Sequence, residues 1–392
     1  MTALPDRLPA WPEGGSARRV IDALGGPGAA RLVGGVVRDS LLGVASADVD
    51  VATVHEPKEA MRRLAAAGIG TAPTGLAHGT VTALAPGGPV EVTTLRHDIE
   101  TDGRHAVVAF TDDWAADAAR RDFTMNALYA EADTGAVHDY HGGIADLAEG
   151  RVRFIGDPDR RIAEDRLRVL RFFRFTARFG RTPDAEGLDA CARAAGSLDR
   201  LSAERVAGEL MRLLALPVPG DAVAEMVAAG VLSHWLPEAD EAPYRALLAA
   251  EDAAGVARDA LRGLAALLPA DPALAERIAR RLKLSKADRT RLTAAADRGA
   301  GTSLPALLHT LGRERTLDRL LLTAAPPGQV RDALTIALPK FALKGRDVLA
   351  LGVEPGPAVS RLLNEAEARW LAAGLPGEAR QRALLAEVVG RR

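Results

Sequence analysis

Strand-forming segments are confined to the first 155 residues of this 392-residue chain, and no other feature limits the fold more strongly. Short β-branched runs such as GTVTAL (79–84) alternate there with helical patterns such as EPKEAMRRLAAAG (56–68). This alternation predicts a mixed α/β domain, because strands repeat every two residues and helices every 3.6. After residue 157 the pattern is helical nearly to the end. The sequence therefore predicts an α+β fold with three parts, at residues 1–155, 156–240 and 241–392.

The composition predicts a folded protein without a membrane partner. The chain is 48% hydrophobic and 26% charged, and no uninterrupted apolar run is long enough to cross a bilayer. The first residues lack the basic region and apolar core of a secretory signal, so a cytoplasmic location is expected. Cys191 is the single cysteine, which excludes an intramolecular disulfide and a cysteine-built zinc site. Any metal must therefore be held by oxygen ligands.

Charge is distributed unevenly along the chain. The net charge is −2, which alone argues against a dedicated nucleic-acid binder. Residues 1–150, however, carry 12 basic and 21 acidic side chains, whereas residues 151–181 carry 10 arginines and four acidic residues. A basic segment thus follows directly on an acidic one, which predicts that a polyanionic substrate is held there.

The stretch RLVGGVVRDSLLGVASADVDVAT (31–53) combines two features of a phosphate and metal site. On a predicted strand, Asp48 and Asp50 point to one face, and two carboxylates this close repel each other unless a cation such as Mg²⁺ joins them. The turn at Gly34–Gly35 leads into a helix whose first N–H groups favour phosphate, and Arg38 lies on its first turn. An ordinary strand, turn and strand is the alternative interpretation.

Further polar candidates lie downstream. Glu91, on a predicted neighbouring strand, is a candidate third carboxylate, although a glutamate on a half-exposed strand is also structurally ordinary. Arg120, Arg121 and Asp122 directly precede an apolar run, where a solvated charged face is the plain alternative. They follow a polar stretch over 96–113 that is long enough to predict a functional loop.

The segment GDPDRRIAEDRLRVLRFFRFTARFG (156–180) predicts one helix whose arginines lie among packing residues. Arg168 and Arg171 share a face of this helix with Glu164, and Asp165 lies beside them. The arginine row is Arg168, Arg171, Arg174 and Arg178, and it alternates with Phe172, Phe173, Phe175 and Phe179. We therefore predict a half-buried row that requires anions, against the alternative of an ion-paired surface helix.

Four motifs, LVGGVVRDSLLG…DVDVAT, EVTTLR, RRDFTMNAL and EDRLRVLRFFRF, resemble in order the motifs of the class II tRNA nucleotidyltransferase and poly(A) polymerase family. The resemblance covers roughly residues 30–210. It implies a polymerase-β-like nucleotidyltransferase head with a mixed sheet and helices, followed by an all-helical neck, body and tail that bind tRNA. The implied reaction is attack by the RNA 3′-hydroxyl on the α-phosphate of CTP or ATP, with release of pyrophosphate and with no DNA partner.

The same resemblance implies roles for individual residues. Asp48 and Asp50 would hold Mg²⁺, and Glu91 stays a candidate catalytic residue beside them. The nucleotide and its phosphates would be contacted by Gly34, Gly35, Arg38, Arg120 or Arg121, Asp122, Arg171 and Arg174. Asp165 and Arg168 match the base-reading pair of the family.

The base-reading pair also makes physical sense. Cytosine and adenine both present an amino donor beside a ring-nitrogen acceptor, whereas uracil and guanine present the reverse. Asp165 accepts from the amino group and Arg168 donates to the ring nitrogen, so the pair fits C and A and mismatches U and G.

Within the family, two segments favour complete CCA addition. TGLAHGTVTAL (74–84) stands where bacterial poly(A) polymerases carry an arginine-rich segment, and residues 96–113 resemble the flexible loop that CC-adding members lack. The alternatives are a poly(A) polymerase, a CC-adding or A-adding relative, and a non-catalytic RNA-binding homologue.

Overall fold

The computed structural model describes residues 4–390 except 10, 12–13, 47, 102–105, 300–302 and 338–339, and within them every strand precedes residue 140. The chain divides into two compact units, Met1–Pro237 and Glu238–Arg392. A mixed α/β region followed by helices confirms the predicted fold class. The predicted boundaries after residues 155 and 240 stay predictions.

A mixed sheet forms the centre of the first unit. The described strands are β1 Ala30–Val33, β2 Asp50–Thr53, β3 Gly70–Gly75, β4 Thr80–Ala85, β5 Gly88–Thr94, β6 Arg96–Thr101, β7 Ala106–Phe110, β8 Leu128–Ala130 and β9 Val137–Asp139. Seven of them pair in the order β3-β4-β5-β2-β1-β8-β9, with β2 and β5 parallel and the other neighbours antiparallel. Because Leu32 pairs with Val51, Asp50 at the start of β2 lies beside the end of β1.

The polar stretch over 96–113 was predicted as a loop, and this prediction was wrong for its paired residues. β6 and β7 form an antiparallel hairpin in which Arg96 pairs with Phe110 and Thr101 with Ala106. An Asp-Gly dipeptide between alternating segments is a hairpin signal. That dipeptide belongs to residues 102–105, which lie outside the described residues.

Ten described helices belong to the first unit: α1 Ser16–Leu24, α2 Gly35–Leu41, α3 Pro57–Ala66, α4 Trp114–Ala119, α5 Gly143–Glu149, α6 Pro158–Glu164, α7 Leu167–Phe179, α8 Ala185–Ala194, α9 Ala203–Leu214 and α10 Gly220–Ala228. α7 buries most of its length, and Phe172 stacks on Phe154 at 5.6 Å between ring centroids. Phe154 in turn lies 4.9 Å from Phe123. This aromatic cluster fixes α7 against the sheet-bearing part of the unit.

The single helix predicted across residues 164–175 was wrong, because the chain breaks between α6 and α7. Asp165 has an extended conformation with φ −151° and ψ 105°. Its Oδ1 accepts the backbone N–H of Leu167 at 3.1 Å, at the start of α7. Aspartate competes with helix continuation in this way, since its short side chain satisfies a free N–H at a helix start.

The second unit is helical throughout its described residues. Its helices are α11 Glu241–Ala254, α12 Ala260–Leu267, α13 Pro272–Arg281, α14 Lys286–Ala296, α15 Leu304–Leu322, α16 Pro327–Thr335, α17 Gly345–Leu349, α18 Pro357–Ala372 and α19 Glu378–Val389. A buried ion cluster joins four of them: Arg262 of α12 donates to Glu251 of α11 at 2.6 Å and to Asp318 of α15 at 3.0 Å, and Arg291 of α14 also donates to Asp318. In the part of the chain that the structure describes, no helix has the length and apolarity needed to span a membrane.

Candidate nucleotidyltransferase site

Three carboxylates gather where β2 begins. Asp50 is the first residue of β2 and pairs in register with Glu91 on the parallel strand β5. Asp48 precedes the strand, in an exposed bend, so the prediction that strand periodicity places it on one face with Asp50 was wrong. Its negative charge nevertheless acts on Asp50. The assignment of these carboxylates to a catalytic metal site stays a prediction, and the local backbone at Asp48 is a bend.

Asp50 is the carboxylate of this cluster whose ionisation is made unfavourable by its surroundings. Burial raises its pKa to about 6, Glu91 and Asp48 add to the rise, and the cation of Arg121 opposes it. Among the described residues no group of three or more His, Cys, Asp or Glu side chains is arranged to hold a metal. Mg²⁺ commonly takes only one or two protein carboxylates and completes its shell with phosphates and water. A half-buried carboxylate crowded by like charges fits such an ion.

The turn before α2 lies against Arg121, whose charge acts on Asp50. Gly34 has φ 71° and ψ −121°, a conformation that glycine tolerates and other residues rarely adopt. A Cβ atom built there would lie 3.4 Å from Nη1 of Arg121 and 3.5 Å from the carbonyl oxygen of Asn126. Because Gly34 has no side chain, the turn before α2 can pack closely against Arg121 and Asn126. Gly35 is the first residue of α2.

Gly34→Ala is expected to destabilise the protein by about 1–3 kcal/mol, because the new side chain must adopt a strained backbone conformation. We also expect nucleotide incorporation to fall at least about tenfold, since the turn that faces the carboxylates must shift. Thermal melting and primer extension measure the two effects. Gly28→Ala is the control, because its Cβ atom meets open space and its φ is not in the positive range; equal behaviour of both variants would contradict the prediction.

Arg38 is enclosed rather than open to solvent. It is 5% exposed, its Nε donates to Asp39 at 2.9 Å, and its Nη1 donates to Oδ1 of Asn126 at 2.5 Å. The guanidinium also lies 4.3 Å from the ring centroid of Phe179. Burial lowers its pKa, against the opposing charge of Asp39. Its predicted contact with a triphosphate stays a prediction, and in this structure the group points toward α7.

Asp117 organises the arginines that follow α4. Its carboxylate is buried and accepts hydrogen bonds from Arg120 Nε at 2.8 Å, Arg121 Nη2 at 3.2 Å and the Tyr129 hydroxyl at 2.5 Å. It also accepts the backbone N–H of Arg96, at the base of the β6–β7 hairpin, at 3.1 Å. Arg120 and Arg121 are therefore held in fixed directions, with Arg121 the nearer of the two to Gly34 and Asp50.

Three arginines of the α7 row, Arg168, Arg171 and Arg174, are half-buried, whereas Arg178 is exposed, and protein carboxylates supply the anions of the row. Arg171 donates to Asp122 at 2.7 Å, and Arg174 donates to Glu209 of α9 at 2.5 Å. Arg174 also stacks over Phe175 at 4.3 Å. Burial alone would raise the pKa of Asp122, but Arg171 and the amide of Asn126 hold it below its usual value. The predicted need for anions is thus met within the protein.

Asp165 and Arg168 lie close together but do not share a side-chain hydrogen bond. Asp165 Oδ2 accepts from Arg205 at 2.7 Å. Arg168 Nη1 donates to Glu164 at 2.6 Å, and its Nη2 donates to the carbonyl oxygen of Arg120 at 3.0 Å. Each member of the predicted base-reading pair therefore already has protein partners.

Four buried polar residues of this site escaped the sequence-based prediction: Asp39, Asp117, Asn126 and Glu209. Two of them carried a usable signal. Glu209 interrupts the apolar face of α9 between Val206 and Leu210, and an isolated acid on such a face indicates a buried ion pair. Asp117 precedes Arg120 and Arg121 at the i, i+3 and i, i+4 spacing of helical ion pairs. Asn126 gave no such signal, because an uncharged amide four residues after Asp122 does not indicate an ion pair, and its other partner, Arg38, comes from a distant segment.

Comparisons with known proteins agree with this geometry. Residues 30–153 match the model of the Poly A polymerase head domain, and residues 182–242 match that of the Probable RNA and SrmB- binding site of polymerase A. The first match spans the sheet, the turn at Gly34 and the carboxylates. It defines the class as a nucleotidyltransferase with a polymerase-type head.

Relatives that are similar over most of the chain identify the family within this class. The mouse protein named CCA tRNA nucleotidyltransferase 1, mitochondrial, is 33% identical over 374 residues, covering 88% of this chain and 83% of the relative. The CCA-adding enzyme of Levilactobacillus brevis is 32% identical over 367 residues, covering 89% and 91%. A crystal structure of the Bacillus stearothermophilus CCA-adding enzyme in complex with CTP matches with 27% identity and a TM-score of 0.70, covering 95% and 96%. The chain belongs to the CCA-adding enzyme family, which confirms the resemblance read from its motifs.

Proposed function

We propose that this protein adds cytidine, cytidine and adenosine to the 3′ end of tRNA without a nucleic-acid template, using CTP and ATP and releasing pyrophosphate. The observation that carries the proposal is similarity to named CCA-adding enzymes over nearly the whole length of both chains. The carboxylates at Asp50 also support it, because phosphoryl transfer requires a cation that neutralises the charge of the triphosphate, and carboxylates can hold that cation.

We assign Asp48 and Asp50 to a divalent cation, with Mg²⁺ as the ion. When bound, such a cation neutralises triphosphate charge and favours ionisation of the attacking 3′-hydroxyl. The raised pKa of Asp50 supports the assignment, since a cation lowers the cost of keeping this buried carboxylate ionised. Gly34 and Gly35 would bring backbone N–H groups to the phosphates, and Arg121, beside Gly34, would add charge-assisted hydrogen bonds.

We assign base selection to Asp165 and Arg168, and contacts to the rest of the nucleotide to Arg120, Asp122, Arg171 and Arg174. The assignment is supported by proximity, because the backbone N–H of Arg168 donates to the carbonyl oxygen of Asp165 at 3.0 Å. The pairs with Arg205 and Glu164 hold these two side chains in place, and each keeps hydrogen-bonding capacity for a base. A wrong base leaves these polar groups unpaired, which costs about 1–3 kcal/mol for each group.

We propose that tRNA, CTP and ATP are the partners, with no DNA and no membrane partner. Because tRNA is used in the cytoplasm of bacteria and the chain resembles a bacterial CCA-adding enzyme, we propose a cytoplasmic location. The mouse relative is named as mitochondrial, so cell fractionation of the native host is the relevant check.

Extension of tRNA that lacks its 3′ CCA tests the function directly. The protein and Mg²⁺ are incubated with this tRNA and each labelled nucleoside triphosphate alone, then with CTP and ATP together, and products are resolved at single-nucleotide steps. Two cytidines followed by one adenosine are expected. A ladder of adenosines would indicate a poly(A) polymerase, arrest after CC or a requirement for CC would indicate a partial-activity relative, and no incorporation would indicate a non-catalytic RNA binder.

Glu91→Gln is expected to lower the rate of incorporation about 10- to 100-fold if Glu91 acts as the third catalytic carboxylate. Its charge also raises the pKa of Asp50, so the substitution relieves repulsion and should leave the melting temperature unchanged or higher. Turnover and melting temperature are measured on the same preparation. Unchanged turnover would remove Glu91 from the catalytic residues.

A further inference from the structure

A chain of hydrogen bonds passes through one buried amide, that of Asn126, which ends the 3₁₀ turn Thr124–Asn126. Asn126 is 7% exposed. Its Oδ1 accepts from Arg38 Nη1 at 2.5 Å, and its Nδ2 donates to Asp122 Oδ1 at 3.0 Å. The oxygen faces a cation and the nitrogen faces an anion, so these partners fix the orientation of the amide.

Both ends of this chain reach α7. On one side, Arg38 pairs with Asp39, whose second oxygen accepts from Arg178 of α7 at 3.2 Å. On the other side, Asp122 Oδ2 accepts from Arg171 of α7, with Nη2 at 2.6 Å. The side chains of α2 and α7 are thus connected by two routes, one through Asp39 and one through Asn126 and Asp122. Asn126 is the only uncharged side chain among these partners. An uncharged relay keeps cation and carboxylate from pairing directly.

We propose that Asn126 is a positioning residue that couples the phosphate-facing helix α2 to the nucleotide-facing arginines of α7. Through it, the direction of the Arg38 guanidinium and that of Arg171 depend on each other. The inference rests on the proposed function, which assigns Arg171 to the nucleotide pocket. A primary amide is required here because it accepts from a guanidinium and donates to a carboxylate at once, which neither leucine nor ionised aspartate does.

The first test compares Asn126→Leu with a matched control from the same turn. Thr124→Val removes the hydrogen bond from Thr124 Oγ1 to Asp146 at 2.6 Å, which is equally buried but lies outside the chain of bonds through Asn126. Melting temperature, equilibrium binding of CTP, and single-turnover incorporation of each of the four nucleotides are measured for both variants. We expect both to melt at lower temperature, whereas only Asn126→Leu weakens CTP binding, by at least about tenfold.

A second variant uses pH as a readout that a purely structural role does not move. In Asn126→Asp, an ionised carboxylate faces Asp122 and repels it, but a protonated carboxyl group again donates to Asp122 while accepting from Arg38. The charged groups around this position are Arg38, Asp39, Asp122, Arg171 and Arg178. We expect the ratio of variant to wild-type incorporation to rise severalfold as the pH falls from about 8 to about 5.5. This variant decides the matter if Asn126→Leu does not fold.

A double-mutant cycle measures the coupling itself. Arg38→Lys and Arg171→Lys are combined in the wild-type background and in Asn126→Leu, and CTP binding is measured for each. We expect the two substitutions to be non-additive with Asn126 present and additive without it. Wild-type CTP binding by Asn126→Leu, a flat pH ratio for Asn126→Asp, or additivity in both backgrounds would each overturn the proposal. Failure of the wild-type protein to extend tRNA would instead overturn the proposed function, while CTP binding still tests the coupling.

Discussion

Asp50→Asn is expected to lower nucleotide incorporation at least about 10³-fold, because it removes a carboxylate that we assign to the catalytic cation. A cation in this position contributes several kcal/mol to the stabilisation of transition-state charge, and each 1.4 kcal/mol changes the rate tenfold. Primer extension over a range of Mg²⁺ concentrations measures the loss. Asp22→Asn, on the exposed face of α1, is the control that should retain full activity.

The same variant should be more stable than wild type at neutral pH when divalent cations are chelated. The folded state raises the pKa of Asp50 to about 6 through burial and the repulsion of Glu91 and Asp48. Its contribution to stability is therefore fully present below the usual carboxyl pKa of about 3.8 and is lost as the pH rises through about 6. We expect an advantage of about 1–3 kcal/mol for Asp50→Asn at pH 8 that disappears near pH 4.

Added Mg²⁺ should reverse this order of stability. A cation that binds the folded state raises the melting temperature of wild type by mass action and acts less on Asp50→Asn. Melting curves with chelator and with Mg²⁺ separate the two contributions without any assay of activity. Full incorporation by Asp50→Asn, or equal responses of both proteins to Mg²⁺, would contradict the cation assignment.

Asp318→Ala is expected to lower the free energy of unfolding by about 3–5 kcal/mol. Asp318 is 1% exposed and accepts from Arg262 Nε at 3.0 Å and from Arg291 Nε at 2.7 Å. Removing it leaves two enclosed guanidinium groups short of a counter-ion, which is far more costly than losing a surface ion pair. Denaturant-induced unfolding followed by circular dichroism measures the loss.

Glu314→Ala is the matched control for this substitution. Glu314 also pairs with Arg291, at 3.1 Å, but its side chain is 67% exposed, so water replaces the lost partner. We expect unfolding indistinguishable from wild type within error. Comparable destabilisation by Asp318→Ala and Glu314→Ala would show that burial does not determine how much each ion pair contributes to the free energy of unfolding.

Sequence patterns predicted the elements whose signals are local. The strands around 79–84 and 90–95, the helix within 56–68 and the glycine turn before α2 all lie close to where periodicity and turn chemistry put them. Errors arose where one side chain redirects the backbone. Asp165 breaks the helix predicted across it by capping α7, and the bend at Asp48 precedes the strand that was expected to include it.

The partners of the site residues were harder to predict than the residues themselves. The arginines of α7 stand out in the sequence, but their counter-ions, Asp122 and Glu209, lie 49 and 35 residues away from Arg171 and Arg174, respectively. Such pairs depend on how α7 packs against other segments, which no local pattern encodes. Asn126 escaped prediction in part for the same reason, since Arg38 lies 88 residues away from it, whereas Asp122 stands only four residues before it.

The paired arginine row of α7 has a consequence for how nucleotides are chosen. Arg171 and Arg174 carry compensated charge before any ligand arrives, so the row projects little long-range attraction toward a free triphosphate. The salt dependence of nucleotide binding at these arginines should therefore be shallow. For the nucleotide contacts that we propose for these arginines, selectivity would then be set at contact distance rather than by attraction from solution.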